Sequence, residues 1–321
     1  MKRFWLVLLA VALIVPLALT GCAAKKGTAG NKFRIAVSLP PANNAWQAKM
    51  LDSVNAVVAE DKEHFDITVK NAVDDADQQN QMQTFKEGKY DMICILPGNG
   101  TLMTQICSEI YKAGTKIMII DRPIEGEDYT VFYGGDNVQC GRNAAKYIGD
   151  RLKGKGQIAI LRSYVGIPID LDRYNGFMEV LKKNYPGIKV LVEGDGEFNQ
   201  EAGRKAMSNI LPAYPKIDAI YTQDDEGAVG ALTEIRNAKR TDIQFITGFG
   251  GSKSAFERLN KKSPTYDPMY GASMSYLPTM GGRAVALAKK ILLGASFKKD
   301  IIEPTVVVTS ENVSKYMDEA Y

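Results

Sequence analysis

The sequence predicts an α/β protein built from two successive doubly wound parallel-sheet units. Three observations carry that prediction. Apolar, β-branched runs alternate with helical stretches from residue 33 onward, the rhythm restarts after Gly134, and the strand-like runs are nearly continuous in apolar residues. A strand buried on both faces reads this way, which suits a parallel sheet covered by helices on either side. A helix between successive strands turns each pair into a βαβ unit.

The first unit opens with a β-branched strand at 33–39 and a helix at 45–59. A strand at 67–69 and a helix at 77–86 follow, then a strand at 91–96, a helix at 102–113 and a strand at 116–120. The second unit starts with a helix at 137–152 and continues as strand 157–161, helix 173–184, strand 189–193 and helix 200–211. Strand 219–222, helix 226–237 and strand 244–247 complete it, and late strands at 271–275 and 305–308 are added afterwards.

In open α/β sheets ligands bind beyond the carboxyl ends of the strands. The residues standing there are Asn43, Asn44 and Trp46, Asp121 and Arg122, Asp170 and Arg173, Phe198, then Gln223, Asp224 and Asp225, and finally Phe249, Gly250 and Gly251. Aromatic faces stack on a sugar ring, while amide, carboxylate and guanidinium groups satisfy its hydroxyls. That mixture at the strand ends of both units points to a polyol.

Composition excludes other classes. A formal charge of +3 with Lys and Arg spread evenly gives no nucleic-acid surface. One histidine, His64, and no clustered cysteines leave no zinc site, and no metal or other cofactor is implied. Cys94, Cys107 and Cys140 form an odd set without CxxC spacing, so free buried thiols are expected. The run from Gly248 to Lys253 lacks phosphate-loop spacing and reads as a tight strand-to-helix turn. No nucleophile–base pair accompanies Asp224 and Asp225, so hydrogen bonding rather than acid–base chemistry is expected, with Asp225 capping the helix that follows or, as the alternative to ligand contact, Asp224 doing so.

The first residues set the compartment. Lys2 and Arg3 precede an apolar run at 4–19 and small residues, the layout of an export signal at 1–21. The segment Leu19-Thr20-Gly21-Cys22 resembles a bacterial lipobox, which makes Cys22 the lipidated residue and 22–32 a flexible tether. More than one acyl chain, palmitate among them, makes such an anchor durable.

The chain from Phe33 to Val308 resembles the type 1 periplasmic binding proteins, in particular the ribose-binding-like sugar receptors. Landmarks are Asn43-Asn44-Ala45-Trp46, Ile120-Asp121-Arg122, Gly135-Asp136-Asn137, Arg173-Tyr174-Asn175-Gly176-Phe177, the run Asp225 to Leu232, and Gly248-Phe249-Gly250-Gly251. The resemblance implies two lobes, 33–135 plus 277–303 and 136–276 plus 304–321, joined by a three-strand hinge with ligand in the cleft. It also implies that Asn44 and Trp46 meet the sugar, that Asp121 and Arg122 grip hydroxyls, and that Arg173 and Phe198 face them from the other lobe. Tyr276 falls at a hinge position where ribose receptors carry Gln. Asp224 stands where the family has an amide, and Gly250 where it has a carboxylate, so room for a larger substituent or a water is expected beside Gly250. The implied function is a monomeric, non-enzymatic solute-binding lipoprotein of an ABC importer. It would capture a monosaccharide or polyol outside the cell membrane, or in the periplasm of a two-membrane bacterium, and hand it to a permease and its ATPase. A sensory receptor of the same fold is the alternative.

Overall fold

The computed structural model describes residues 26–28 and 30–321; the expected signal segment and Cys22 lie outside the described residues. In chain order the first half runs β1 (Phe33–Leu39), α1 (Ala45–Ala59), β2 (Phe65–Asn71), α2 (Asp75–Glu87), β3 (Met92–Ile95), α3 (Gly100–Lys112), β4 (Lys116–Ile120) and β5 (Val131–Gly135). The second runs α4 (Asn137–Arg151), β6 (Lys155–Arg162), α5 (Pro168–Asn184), β7 (Gly187–Asp195), α6 (Gln200–Ala213), β8 (Ala219–Thr222), α7 (Asp225–Asn237), β9 (Phe245–Gly250), α8 (Lys253–Leu259) and β10 (Tyr270–Ser275). The chain then returns through α9 (Met280–Leu292), β11 (Asp300–Glu303) and β12 (Val307–Val308).

These strands form two six-stranded sheets, ordered β11-β5-β4-β3-β1-β2 and β12-β10-β9-β8-β6-β7. Every pairing is parallel except β10 with β12. The chain therefore passes between sheets after β5, after β10 and after β11.

Side chains sort by the two-residue period of a strand. Ile35, Val37 and Leu39 of β1 join Met50 and Val54 of α1 and Val285 of α9, whereas Ala36 joins Met82 and Phe85 of α2 and Met103 of α3. In the second sheet Ile158 and Ile160 face α4 and α5, and Ala159 and Leu161 face α6 and α7. One apolar cluster runs from the α1–α9 face of the first sheet to the α4–α5 face of the second, through Tyr276 and Met280. Cys94, Cys107 and Cys140 are free and buried, and burial pushes each thiol up to about 12.

Periodicity does not single out β5, β11, α8 or α9. β5 is five residues ending in two glycines, and β11 is an edge strand flanked by charges. α5 begins at Pro168, five residues before Arg173, because proline is preorganised for the first helical position. β12 shrinks to two residues, since Ser275 takes the Val306 amide with its side chain.

Short polar side chains start the helices. Asn44, Asp74, Asn99, Asp136, Asn199, Asp224 and Ser252 each accept a hydrogen bond from the amide three residues on. Of the two aspartates the sequence offers as the cap of α7, it is Asp224 that takes the role, not Asp225.

Glycines let helices of the second lobe touch backbone to backbone. A Cβ on Gly176 of α5 would lie 2.1 Å from Val138 O in α4, and one on Gly141 of α4 would lie 2.1 Å from Arg173 O. Neither carbonyl can retreat without moving a helix, and overpacking of this kind costs about 1–3 kcal/mol. Gly176→Ala is therefore expected to lower the free energy of unfolding by about that amount in urea titration. An unchanged midpoint would show that the two helices are not locked in this register.

Candidate functional site

The carboxyl ends of both sheets converge where the chain crosses between them, and Tyr276 stands at the centre. It follows β10 and is 6% exposed. Its hydroxyl donates to Asp121 Oδ1 and accepts from Asn137 Nδ2 at 3.3 Å. Its carbonyl accepts from Trp46 Nε1 at 2.9 Å, and its amide donates to Gly250 O at 3.1 Å. The ring lies 6.3 Å from that of Trp46 and 5.8 Å from that of Phe249. Burial and the Asp121 carboxylate hold the phenol well above its ordinary pKa, so it stays a donor.

Asp121 follows β4 directly and lies in the left-handed region, with φ +63°. Its amide donates to Tyr133 O at 2.8 Å, which holds that conformation while the carboxylate turns to Tyr276. Arg122 is tethered to the Pro97 and Gly98 carbonyls at 3.3 and 3.0 Å, and its Nε lies 3.8 Å from Asp121 Oδ2.

Arg173 enters from the second lobe on α5, 5% exposed. Nε donates to Asn137 Oδ1 at 3.0 Å and Nη1 to Gln223 O at 2.7 Å. The guanidinium carbon sits 3.5 Å from the centroid of the Phe249 ring, 5.6 Å from Tyr276 and 5.9 Å from Phe198. A planar cation stacked between aromatic rings is fixed in direction as well as charge. Phe198 holds φ +55° and meets Tyr164 edge-on at 5.6 Å.

The two neighbouring aspartates have separate tasks. Asp225 is fully buried and both its oxygens are engaged, by Tyr270 Oη on one side and by Ser273 Oγ and the Gly251 and Ser252 amides on the other. It clamps the β9–α8 turn. Asp224 uses Oδ1 to cap α7 through Gly227 N at 2.9 Å, and its other oxygen has no hydrogen-bond partner among the described residues. Although its side chain keeps some access to solvent, the protein packed round the carboxyl raises its pKa to about 7.

The sequence-predicted residues thus fall into two groups. Trp46, Asp121, Arg173, Phe198, Gly250 and Tyr276 are brought together, with Arg122 joined through Asp121 and Asp224 within electrostatic reach of Arg173. Asn44 is exposed, and its recorded side-chain bond is the cap to Gln47 N. The room expected beside Gly250 is taken. A Cβ there would lie 2.3 Å from Tyr321 Oη, and the residue holds φ +125°. Asn137 stands just beyond β5, a strand that periodicity does not mark, and is legible only in the landmark Gly135-Asp136-Asn137, while Tyr321 carries no strand-end signal at all.

The family of periplasmic binding protein domains matches residues 35–296. The ribose import binding protein of Bacillus subtilis strain 168 is 26% identical over 321 residues, spanning 97% of this chain and 100% of that one. Among solved structures, an ABC transporter solute-binding protein of Bacillus halodurans with bound myo-inositol superposes with a TM-score of 0.79 at 23% identity, over 90% of this chain and 98% of its own. The fructose-binding periplasmic domain of a hybrid two-component system superposes with a TM-score of 0.74 at 28% identity, over 89% of this chain and 93% of its own.

The raised Asp224 pKa has a defined sign. Between its ordinary 3.8 and about 7 the folded chain holds a proton that the unfolded chain has lost. Stability from this group is complete below the lower value and falls as pH rises through the window. Asp224→Asn, which keeps a capping oxygen, is expected to flatten the slope of unfolding free energy against pH between those values. Asp225, raised in the same direction, tilts both proteins alike. Equal slopes in urea titrations of the two would contradict the assignment.

Proposed function

The chain belongs to the periplasmic binding protein family, and from that premise we propose that it captures a monosaccharide or related polyol by closure of its two lobes. The observation that carries the reading is the meeting of Trp46 and Asp121 of the first lobe with Arg173 and Phe198 of the second around Tyr276. Rings and charge-assisted hydrogen-bonding groups from opposite lobes suit a flat molecule rimmed with hydroxyls. Asp121 and Asp224 are acceptors for hydroxyl protons, and Arg122 and Arg173 are donors to hydroxyl oxygens. Binding, not catalysis, is the task of such a set.

We further infer that the protein is an ABC-importer receptor, anchored through Cys22 outside the cell membrane, acting as a monomer and delivering its solute to a permease and ATPase. The lipobox-like segment and the match over the full length of a ribose import protein favour this. Likeness to a fructose-binding domain of a two-component system favours a sensory receptor as the second reading.

A thermal-shift screen against monosaccharides and polyols tests capture. A ligand at about 100 times its dissociation constant stabilises the fold by ~2.7 kcal/mol, and no shift with any of them would remove the sugar reading. For the ligand found, Arg122→Ala is expected to weaken binding about 10- to 100-fold in titration calorimetry, the loss of one charge-assisted contact; unchanged affinity would take Arg122 out of the site. Mass spectrometry of the native protein is expected to find Cys22 at the N-terminus carrying acyl chains. A different start, or an unmodified Cys22, removes the anchor.

A further inference from the structure

The space over Gly250 is filled by a residue 71 positions away that no strand-end pattern marks. Tyr321 Oη lies 2.3 Å from where a Cβ of residue 250 would be, with its Cζ at 3.3 Å and Cε1 at 3.5 Å. Gly250 is the last residue of β9, so the phenol rests on the carboxyl end of a strand that borders the cleft. It is held there. Tyr321 O accepts from Lys253 N at 2.6 Å, Val313, Met317 and Ala320 pack against the second-lobe core, and Glu319 bonds Thr279 and Arg283 at 2.8 and 3.0 Å.

The hydroxyl itself is unspent: it has no hydrogen-bond partner among the described residues, and it is not sealed from solvent. Of the charged residues within its electrostatic reach, two keep such a group, Asp224 at Oδ2 and Arg173 at Nη2. The remaining charges in reach are occupied. Asp225 is fully hydrogen-bonded, and Glu226 is bound by Gln200 and Ser254. The phenol over Gly250 therefore has an acceptor and a cationic donor, each with bonding capacity left, within electrostatic reach.

We propose that Tyr321 is a ligand-contacting, specificity-determining residue, its hydroxyl joining Asp224 and Arg173 in binding the hydroxyls of a sugar or polyol. This rests on the sugar-capture reading above. Glycine at 250 is what makes the arrangement possible, because any side chain there would displace the phenol. The second lobe thus presents a neutral, aromatic hydroxyl where residue 250 would have placed its own group, and selects ligands that offer an apolar ring face beside a hydroxyl.

The test titrates wild type, Tyr321→Phe and Tyr321→Ala with D-ribose, D-fructose, myo-inositol and xylitol, recording dissociation constants and the melting temperatures of the ligand-free proteins. For whichever compound wild type binds, Tyr321→Phe is expected to weaken affinity about 2- to 13-fold, the loss of one neutral hydrogen bond, at an unchanged melting temperature. Tyr321→Ala is expected to alter the order of preference among the four. Both variants within twofold of a wild type that binds would overturn this inference and leave sugar capture standing. Uniform tightening of every compound by Tyr321→Ala would make the phenol an obstruction and overturn it too. A wild type that binds neither these four nor any other compound of the thermal-shift screen sinks both readings.

Discussion

The junction of the two sheets depends on one side chain held from both. Tyr276 bonds Trp46 and Asp121 of the first lobe and Asn137 and Gly250 of the second, through its carbonyl, hydroxyl and amide. Its ring fills space that Gly135 leaves open, where a Cβ would stand 2.3 Å from Cε2. The phenol cannot shift without losing a buried hydrogen bond on one side, and an unmade one costs about 1–3 kcal/mol. Asp121 is drawn into a left-handed conformation to meet it, a strain of order 1–3 kcal/mol. The neighbouring cluster then follows in order: Phe249 packs on Tyr276, Arg173 stacks on Phe249, and Asn137 ties Arg173 back to the phenol. A change of angle between the lobes has to pass through this group.

Hydrogen-bonding capacity separates residues that are fully satisfied inside the fold from residues that keep capacity in reserve. Asp170 illustrates the first kind: fully buried, it takes both arms of Arg162 and the Gly166 amide, and these ion-pair and amide contacts hold its carboxyl below the usual range against the opposing pull of burial. Asp225 is the same kind of residue, with every accepting direction met inside the lobe. Asp224, one position earlier, keeps an oxygen free, and Arg173 keeps one nitrogen free after two others are fixed. A polar group that is firmly placed and incompletely satisfied is poised to take a polar partner. Adjacent positions in sequence, chemically identical, thus differ by what surrounds them.

This difference marks how far the sequence could be read. Continuous apolar strands such as β1, β3, β4 and β9 and the helices between them are legible, since burial on both faces leaves its imprint on composition. β5 and β11 are not, because a strand ending in paired glycines or lying on an edge has no such imprint. Residues beyond strand ends could be found from the strands themselves, which is how Trp46, Asp121, Arg173 and Asp224 emerge. Which aspartate caps α7 could not, because either side chain can accept from the first turn and the choice lies with Tyr270, Ser273 and the β9–α8 amides. Tyr321 was out of reach for a different reason: only the three passages between sheets decide where the last segment lies.

That last segment spans the junction, and the strengths of its two attachments differ. Arg283 of α9 binds Glu303 with two nitrogens, each at 2.6 Å, and Glu319 with a third at 3.0 Å. Arg283 and Glu319 are both more than a third exposed, and exposed pairs contribute about 0–1 kcal/mol. On the other side Val313 is 2% exposed, and full burial of one such side chain is worth roughly 1.5–3 kcal/mol; Met317 and Ala320 add to it. Packing on the second lobe therefore outweighs the ion pair to the first. If the lobes part, the segment stays with β9 and α8, and the Glu319 contact is the one that yields. Tyr321, whose carbonyl is held by Lys253 N, then keeps its place over Gly250.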